Sequence, residues 1–253
     1  MASHSSLKKD SLYWNYWEEL VKASVYRQSR EIPAIADAAQ INGKNSIDAG
    51  CGPGRLILPF SKMAKTITAV DENDWAISSV EKIIKENRLD NVQVAQSPLV
   101  SLPFDDGVSE STYCIWVIHH AKKRWEKIVR ELVRVTRSGS PVVVGFASGQ
   151  KDLPRLEDVV KKGHLSSAQS FDHSFPAWCK EESLSVSLHT VPLSFEFNSP
   201  EWALEVFSNT FFPRHIEKES LDAASHFLQQ HVRNKKCIIE QELILYTLKE
   251  QSD

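Results

Sequence analysis

The feature that most constrains this chain is a run of three alternating glycines, in Ser46-Ile47-Asp48-Ala49-Gly50-Cys51-Gly52-Pro53-Gly54-Arg55. A short apolar approach precedes the glycines, and residues 55–60 after them predict the beginning of a helix. Glycine permits positive φ and leaves no Cβ where a ligand must lie close. A strand, a glycine turn and a helix start together predict a small-molecule site that uses free backbone N–H groups.

A carboxylate follows the next predicted strand at a distance that suits ribose recognition. Residues 67–70 predict a strand that ends at Asp71, roughly 20 residues past the glycines. A carboxylate accepts hydrogen bonds from both ribose hydroxyls. The glycine turn and Asp71 together therefore favour a cofactor that contains a nucleoside.

Strands and helices alternate over the first part of the chain, which predicts a parallel sheet. Further strands are predicted at residues 92–95, 111–118 and 141–144, and the apolar run 111–118 is typical of a strand buried on both faces. Helices are predicted at residues 11–30, 32–39, 76–87 and 122–136. Either Asn73 or Asp74 is expected to cap the helix at 76–87.

The last third of the sequence has a weaker pattern. We expect helices at residues 152–162, 199–212 and 217–232, strands at 183–197 and 237–248, and irregular structure at 163–180. Ser199 and Pro200 have the residue types that begin a helix, as its cap and its first turn.

The glycine segment resembles the first motif of the class I S-adenosylmethionine-dependent methyltransferases, in the form Asp-x-Gly-Cys-Gly-x-Gly-Arg at residues 48–55. Nicotinamide enzymes favour the spacing Gly-x-Gly-x-x-Gly instead. Residues 102–107, the strand at 111–118 and His119-His120 are similar to the fourth motif region of small-molecule members of the methyltransferase 11 type. The resemblance covers residues 31–147 well.

The resemblance implies an α/β fold of the Rossmann-like type. Its sheet has seven mostly parallel strands, with helices on both faces and the last strand antiparallel. We expect residues 1–253 to form a single methyltransferase domain. A helical lid is expected at residues 1–30, and elaborations on the substrate side at 150–182 and 199–235.

The cofactor that the resemblance implies is S-adenosyl-L-methionine, whose ammonium and sulfonium favour a nearby carboxylate and carbonyl groups. Its methionine half would lie among the residues of the glycine segment, Asp48, Gly50, Cys51, Gly52 and Gly54. Asp71 would hold the ribose. The adenine would be bordered by Glu72, Ser97, Pro98 and Leu99, and the sulfonium side by Ile115 and Trp116. Glu72 and Ser97 depart from the apolar and acidic residues usual at their positions.

Methyl transfer is an in-line displacement, so the protein mainly positions the acceptor and excludes water. An acceptor that carries a proton also needs a base. His120 is the first candidate and His119 the second, because both follow the fourth strand. The predicted substrate residues are aromatic or imidazole side chains, namely Tyr13, Trp14, Trp17, Phe171, His173 and Trp178.

Two features of the N-terminal helix keep alternatives open. Its aromatic residues would serve equally as a packing stripe. Arg27 or Arg30 could pair with the carboxylate of the cofactor, or lie solvated on the surface.

Composition narrows the class of protein and its compartment. The net charge of −3 gives no basic field for nucleic acid or anionic lipid. The four cysteines are widely spaced, which predicts no metal site and free thiols in a reducing compartment. Residues 1–10 lack the apolar core of a signal peptide, and no apolar run has the length of a membrane span. We therefore expect a cytoplasmic protein.

Four functional hypotheses follow. The first is a methyltransferase for a small apolar or aromatic acceptor. The second changes the acceptor to RNA or protein, although no Asn-Pro-Pro-Tyr or Asp-Pro-Pro-Tyr tetrapeptide follows the fourth strand. The third is a non-catalytic protein that binds S-adenosylmethionine. The fourth, a nicotinamide dehydrogenase, is disfavoured by the glycine spacing. The acceptor atom and the oligomeric state stay open.

Overall fold

The structure is a computed structural model that describes residues 11–118, 121, 124–160, 167–212 and 215–250, with the backbone alone at 11–14, 27 and 167–173. Its helices are α1 (Ser11–Ala23), α2 (Ile32–Ala39), α3 (Ile57–Ser61), α4 (Asp74–Asn87), α5 (Trp125–Val135), α6 (Asp152–Val160), α7 (Ser167–Glu181), α8 (Pro200–Thr210) and α9 (Lys218–Gln230). Its strands are β1 (Asn45–Ala49), β2 (Thr66–Asp71), β3 (Val92–Gln96), β4 (Ser111–Ile115), β5 (Val142–Ala147), β6 (Leu184–Phe197), β7 (Val232–Arg233) and β8 (Lys236–Glu250).

The strands form one mostly parallel sheet in the order β3-β2-β1-β4-β5-β8-β6. Strands β1 to β5 pair in parallel, and β8 pairs antiparallel with β5. The predicted α/β class and the antiparallel last strand are confirmed. The described part of the chain has eight strands and not seven, because β7 forms a tight hairpin with β8. The two hairpin residues, Asn234 and Lys235, have positive φ of 51° and 64°, as this turn requires.

The chain divides into two compact units. The larger unit comprises Gln28–Ser148, Ser167–Val191 and Leu243–Asp253. In its core, Ile47 and Ala49 of β1 pack with the apolar face of α5, which carries Ile128, Val129, Leu132 and Val135. Side chains alternate along a strand, so Ser46 and Asp48 point to the opposite face. Strand order reverses between β1 and β4, where open α/β sheets form their ligand crevice at the carboxyl ends of the strands.

The smaller unit comprises Met1–Arg27, Gly149–Ser166 and Pro192–Glu242. Its core includes Leu20, Leu156, Phe207, Leu228 and Ile239, all of them buried. Helix α8 begins as predicted, with Pro200 in its first turn and Ser199 as the cap. The Ser199 hydroxyl accepts a hydrogen bond from the Trp202 N–H at 3.1 Å.

The cap at Ser199 gives a stability prediction. The variant Ser199→Ala leaves a helix N–H without its side-chain acceptor, so the free energy of unfolding should fall by about 1 kcal/mol. Urea denaturation measures this change. Ser208→Ala, inside the same helix, is the control and should be near neutral. Equal effects of the two substitutions would mean that the cap contributes nothing.

Several predicted element boundaries are wrong. Residues 11–30 are not one helix, because α1 ends at Ala23 and a single π-helical turn follows at Arg27–Glu31. Strand β4 ends at Ile115 and not at 118. Asn73 is the N-cap of α4, but its side chain donates to Asp71 and makes no cap hydrogen bond.

The prediction of irregular structure at residues 163–180 is wrong for the described residues 167–180, which belong to α7. Pro176 lies inside this helix, where proline is ordinarily unfavourable. Burial outweighs this cost, since Phe175, Trp178 and Cys179 are buried in the core of the larger unit. In the described part of the chain, none of the helices has the length and apolarity that a membrane span needs.

Candidate functional site

The glycine turn lies at the carboxyl end of β1 and is fixed to the end of β2. The N–H groups of Gly50 and Cys51 donate to the Val70 carbonyl at 2.8 and 3.0 Å. All three glycines have positive φ, at 79° for Gly50, 50° for Gly52 and 84° for Gly54. This backbone explains why the sequence has glycine at alternate positions.

The three glycines differ in what surrounds them. A Cβ on Gly50 would lie 2.6 Å from Val117 Cγ2, and one on Gly54 would lie 2.7 Å from Ile83 Cδ1. These two positions need glycine for close packing within the protein. A Cβ on Gly52 would meet no protein atom within 4 Å. The turn therefore borders open space at Gly52, as expected where a backbone segment binds a ligand.

Asp71 lies at the end of β2, and its carboxylate points at the glycine turn. Its Oδ2 accepts a hydrogen bond from the Gly52 N–H at 3.0 Å. Its Oδ1 accepts from the Asn73 N–H at 3.0 Å and from the Asn73 side chain at 2.9 Å. The structure thus brings together the two features that sequence analysis linked, and these bonds fix the carboxylate beside the open space at Gly52.

Asp48 is a buried carboxyl group, only 3% exposed. Its Oδ2 has no hydrogen-bond partner among the described residues. Burial raises the pKa of Asp48 from 3.8 to about 7, the positive charge of Arg55 opposes this rise and the negative charge of Asp71 adds to it. A buried carboxyl oxygen without a partner is costly. Asp48 is therefore suited to receive a cationic ligand group.

A buried cluster beside the glycine turn was not predicted from the sequence. The Glu31 carboxylate, 3% exposed, accepts from Arg55 Nη1 at 2.6 Å and from Trp116 Nε1 at 2.7 Å, both on Oε1. The sequence pattern indicates Trp116 only by its place after β4, and Arg55 only by its place after the glycines. The one sequence signal for Glu31 is an acidic residue just before the apolar helix α2.

Of the residues predicted near adenine, Glu72 follows β2, and Ser97, Pro98 and Leu99 follow β3. The Ser97 hydroxyl donates to the Ser101 carbonyl at 2.9 Å, and the Ser97 N–H donates to the Asp71 carbonyl at 3.0 Å. Ser97 is buried, whereas Glu72 and Pro98 are exposed and Leu99 packs against the core. Because the Ser97 hydroxyl already donates to Ser101, we interpret Ser97 as a residue that fixes the loop beside Asp71.

The structure describes only some of the site residues that were predicted after β4 and in the aromatic segments. Ile115 is buried and Trp116 is half-buried. The candidate bases and most of the substrate candidates lie outside the described side chains: His119, His120, Tyr13, Trp14, Phe171 and His173. Trp17 is half-buried in the smaller unit, with its ring 6.4 Å from Phe211.

Trp178, a predicted substrate residue, is buried. It is 8% exposed and makes an edge contact with Trp125 at 5.0 Å between ring centroids. The Arg130 guanidinium covers its ring at 5.3 Å. This packing places Trp178 in the core of the larger unit, and its role as a substrate contact stays a prediction.

Neither metal nor thiol chemistry gains support from the described residues. They contain no cluster of three or more His, Cys, Asp or Glu side chains that would hold a metal ion. All four cysteines are buried and unpaired. Burial raises the pKa of the Cys51 thiol, beside the glycine turn, well above its ordinary value. A thiol held neutral is a poor nucleophile.

The geometry fits a cofactor of the S-adenosylmethionine type. A fixed carboxylate, Asp71, lies beside the open space at Gly52. A second carboxyl group, Asp48, offers an oxygen without a partner in the described structure. The first suits a ribose and the second an ammonium.

Comparison with known proteins agrees with this geometry. A family model described as a methyltransferase domain matches residues 47–144. The matched segment runs from β1 to β5. It contains the glycine turn, both carboxylates and Trp116.

Curated relatives include methyltransferases from bacteria and plants. An uncharacterized methyltransferase, YcgJ, of Bacillus subtilis (strain 168) is 25% identical over 162 residues, which are 64% of this chain and 60% of that protein. Norajmaline N-methyltransferase of Rauvolfia serpentina is 30% identical over 115 residues, 44% of this chain and 38% of that protein. The alignments thus span 60% and 38% of the lengths of these two relatives.

Solved structures share the fold. The crystal structure of the YcgJ protein from Bacillus subtilis superposes with a TM-score of 0.65 at 16% identity, covering 87% of this chain and 98% of that one. A SAM-dependent methyltransferase from Aquifex aeolicus gives a TM-score of 0.60 at 12% identity, covering 93% and 97%. At these identities the likeness concerns the fold alone.

Proposed function

We propose that the chain is a class I S-adenosylmethionine-dependent methyltransferase, and that it transfers a methyl group from S-adenosylmethionine to a small acceptor. The observation that carries the proposal is the bond from the Gly52 N–H to Asp71 Oδ2 beside open space, with Asp48 buried next to it. These groups suit a ribose and an ammonium, and no pyrophosphate is required.

When bound, S-adenosylmethionine supplies a methyl group on a positively charged sulfur, which is already an activated leaving group. The protein therefore has to orient the acceptor toward this methyl group and to exclude water from the site. Asp71 would hold the ribose hydroxyls. Asp48 would accept from the ammonium with its Oδ2, and the cation would in turn favour the charged form of that carboxyl.

Isothermal titration calorimetry tests the cofactor class. We expect S-adenosylmethionine and S-adenosylhomocysteine to bind and NADH to give no heat, because the glycine spacing and Asp48 match a sulfonium nucleoside. Asp71→Ala should weaken S-adenosylhomocysteine binding about 10-fold or more, since it removes the acceptor for both ribose hydroxyls. Binding of NADH, or an affinity unaffected by Asp71→Ala, would contradict the proposed site.

The acceptor class is proposed from the names of two relatives. Two curated relatives are named norajmaline N-methyltransferase and ajmaline N-methyltransferase, and these names favour a small-molecule acceptor here. A thermal-shift screen of small amines and phenols in the presence of S-adenosylhomocysteine would identify candidates. Product formation from RNA or protein in a labelled-methyl assay, with no small acceptor active, would favour the second hypothesis.

We propose His120 as a general base for an acceptor that carries a proton, with His119 as the second candidate. The support is their place in the sequence shortly after the end of β4, with residues 116–118 in between. His120→Ala should reduce turnover about 100-fold or more and leave S-adenosylhomocysteine affinity within about 2-fold, and His119→Ala is the neighbouring comparison. Turnover that survives in His120→Ala would exclude this residue as a base.

The predicted cytoplasmic location stays a proposal. It is supported by four cysteines that are unpaired and buried, as expected in a reducing compartment.

A further inference from the structure

Glu31 joins three segments of the larger unit that are distant in sequence. It is the last residue of the π-helical turn Arg27–Glu31 and precedes α2 directly. Its Oε1 accepts from Arg55, which ends the glycine segment, and from Trp116, which follows β4. The carboxylate thus links the two segments that lie at the carboxyl ends of β1 and β4.

The side chains of Glu31 and Arg55 are largely buried, which restricts the positions that they can take. Glu31 is 3% exposed and the Arg55 side chain is 16% exposed, with 2.6 Å between Oε1 and Nη1. A buried ion pair contributes little net stability against its desolvation cost, yet removing one partner leaves an uncompensated charge. Such a pair is better suited to fixing positions than to stabilising the fold.

The backbone of Trp116 gives a second, independent observation. Its φ is +64°, a left-handed conformation that costs a residue with a Cβ about 1–2 kcal/mol. Its N–H donates to the Gly145 carbonyl at 2.7 Å, and its indole donates to Glu31. Strained residues persist only where their surroundings determine them, and they cluster at ligand sites.

We infer that Glu31 is a positioning residue for the cofactor site, which holds Arg55 and Trp116 so that the glycine turn and the end of β4 frame the methionine half of the ligand. Glu31 does not itself contact the ligand in this role. The inference rests on the proposed function, because it assigns the cofactor to the crevice between these two segments.

Glu31 also affects Asp48 indirectly, because the positive charge of its partner Arg55 acts on the Asp48 carboxyl group. The charged groups that act on the Asp48 carboxyl are Arg55 and Asp71, and the titratable groups nearby are Cys51, Tyr113 and Cys114. Glu31 forms an ion pair with Arg55, with 2.6 Å between Oε1 and Nη1. If Glu31 loses its charge, Arg55 should attract the Asp48 carboxylate more strongly and favour its ionised form.

The first experiment measures S-adenosylhomocysteine affinity by calorimetry at pH 8 in the chain of 253 residues. Trp116→Phe keeps the ring and removes the indole donor, and we expect binding to weaken about 10-fold. Glu31→Gln keeps an acceptor for the indole and removes the ion pair, and a similar loss is expected. Glu182→Gln is the matched control, since Glu182 forms a two-bond ion pair with Arg130 on an exposed surface of the same unit. Its affinity should stay unchanged.

The second experiment follows the same affinity from pH 5.5 to 8.5, a readout that a purely structural role would not move. The midpoint of the Glu31→Gln profile should lie roughly half a pH unit below that of the wild type, whereas Trp116→Phe should keep the wild-type midpoint. Urea denaturation verifies that each variant is folded. If Glu31→Gln does not fold, Trp116→Phe still tests the positioning role through affinity.

The possible outcomes separate this inference from the proposed function. Wild-type protein that binds no S-adenosylhomocysteine would overturn the proposed function. Wild-type binding together with an unchanged affinity in Trp116→Phe would overturn the positioning role of Glu31. A midpoint that is the same in Glu31→Gln and in the wild type would overturn its effect on Asp48.

Discussion

Replacing Asp48 with Asn should stabilise the ligand-free protein at pH 8 while weakening its binding of S-adenosylhomocysteine. The folded pKa of Asp48 is raised from 3.8 to about 7, mainly by burial. Between these values the folded state keeps a proton that the unfolded chain has released. The free energy of unfolding therefore falls as the pH rises through this range.

The size of this effect follows from the gap between the two pKa values, which corresponds to at most about 4 kcal/mol. Asn cannot ionise, so it removes this penalty but must itself be buried with a polar amide. We expect a net stabilisation of roughly 1–3 kcal/mol at pH 8 and a smaller one at pH 5. Denaturant titrations at both pH values measure it, and exposed Asp90→Asn is the control.

Binding should change in the opposite direction. The carboxylate that would meet the ammonium of the ligand is ionised only above about pH 7, so wild-type affinity should rise from pH 6 to pH 8. In Asp48→Asn the affinity should be lower by about 10-fold at pH 8 and independent of pH. A stability gain that does not grow with pH, or a variant that retains the wild-type pH profile, would refute the role given to Asp48.

Replacing Gly52 with Ala should abolish most cofactor binding at a modest cost in stability. Gly52 has a φ of +50°, and a Cβ there would project into space free of protein atoms within 4 Å. The left-handed backbone costs Ala about 1–2 kcal/mol. If the ligand lies in this space, the added methyl group should weaken S-adenosylhomocysteine binding by about 100-fold.

Gly43 provides the matched control for this substitution. It has a φ of +68° and equally open surroundings, and it lies in the turn before β1, away from the carboxyl ends of the strands. Gly43→Ala should lose the same stability as Gly52→Ala and keep the wild-type affinity. Calorimetry and urea denaturation on both variants make the comparison. Equal affinities in the two variants would show that no ligand lies against Gly52.

The local sequence pattern was sufficient to predict the glycine turn, because the positive φ that the turn needs is a property of single residues. The alternation of strands and helices likewise predicted β1 to β5 in a parallel sheet. Local pattern failed at α7, where Pro176 argues against a helix that burial of Phe175 and Cys179 nevertheless stabilises. It also missed β7, a strand of only two residues.

The sequence by itself determined that the glycine segment must turn with positive φ, and that the carboxyl groups of Asp48 and Asp71 lie at or near the ends of β1 and β2. Both features depend on neighbouring residues alone. Only the tertiary structure decided the charge state of Asp48 and the partner of Trp116. Glu31 lies 24 residues from Arg55 and 85 from Trp116, so no local pattern records their contact. Burial and the charges of distant residues set these properties, because both arise only when the chain has folded.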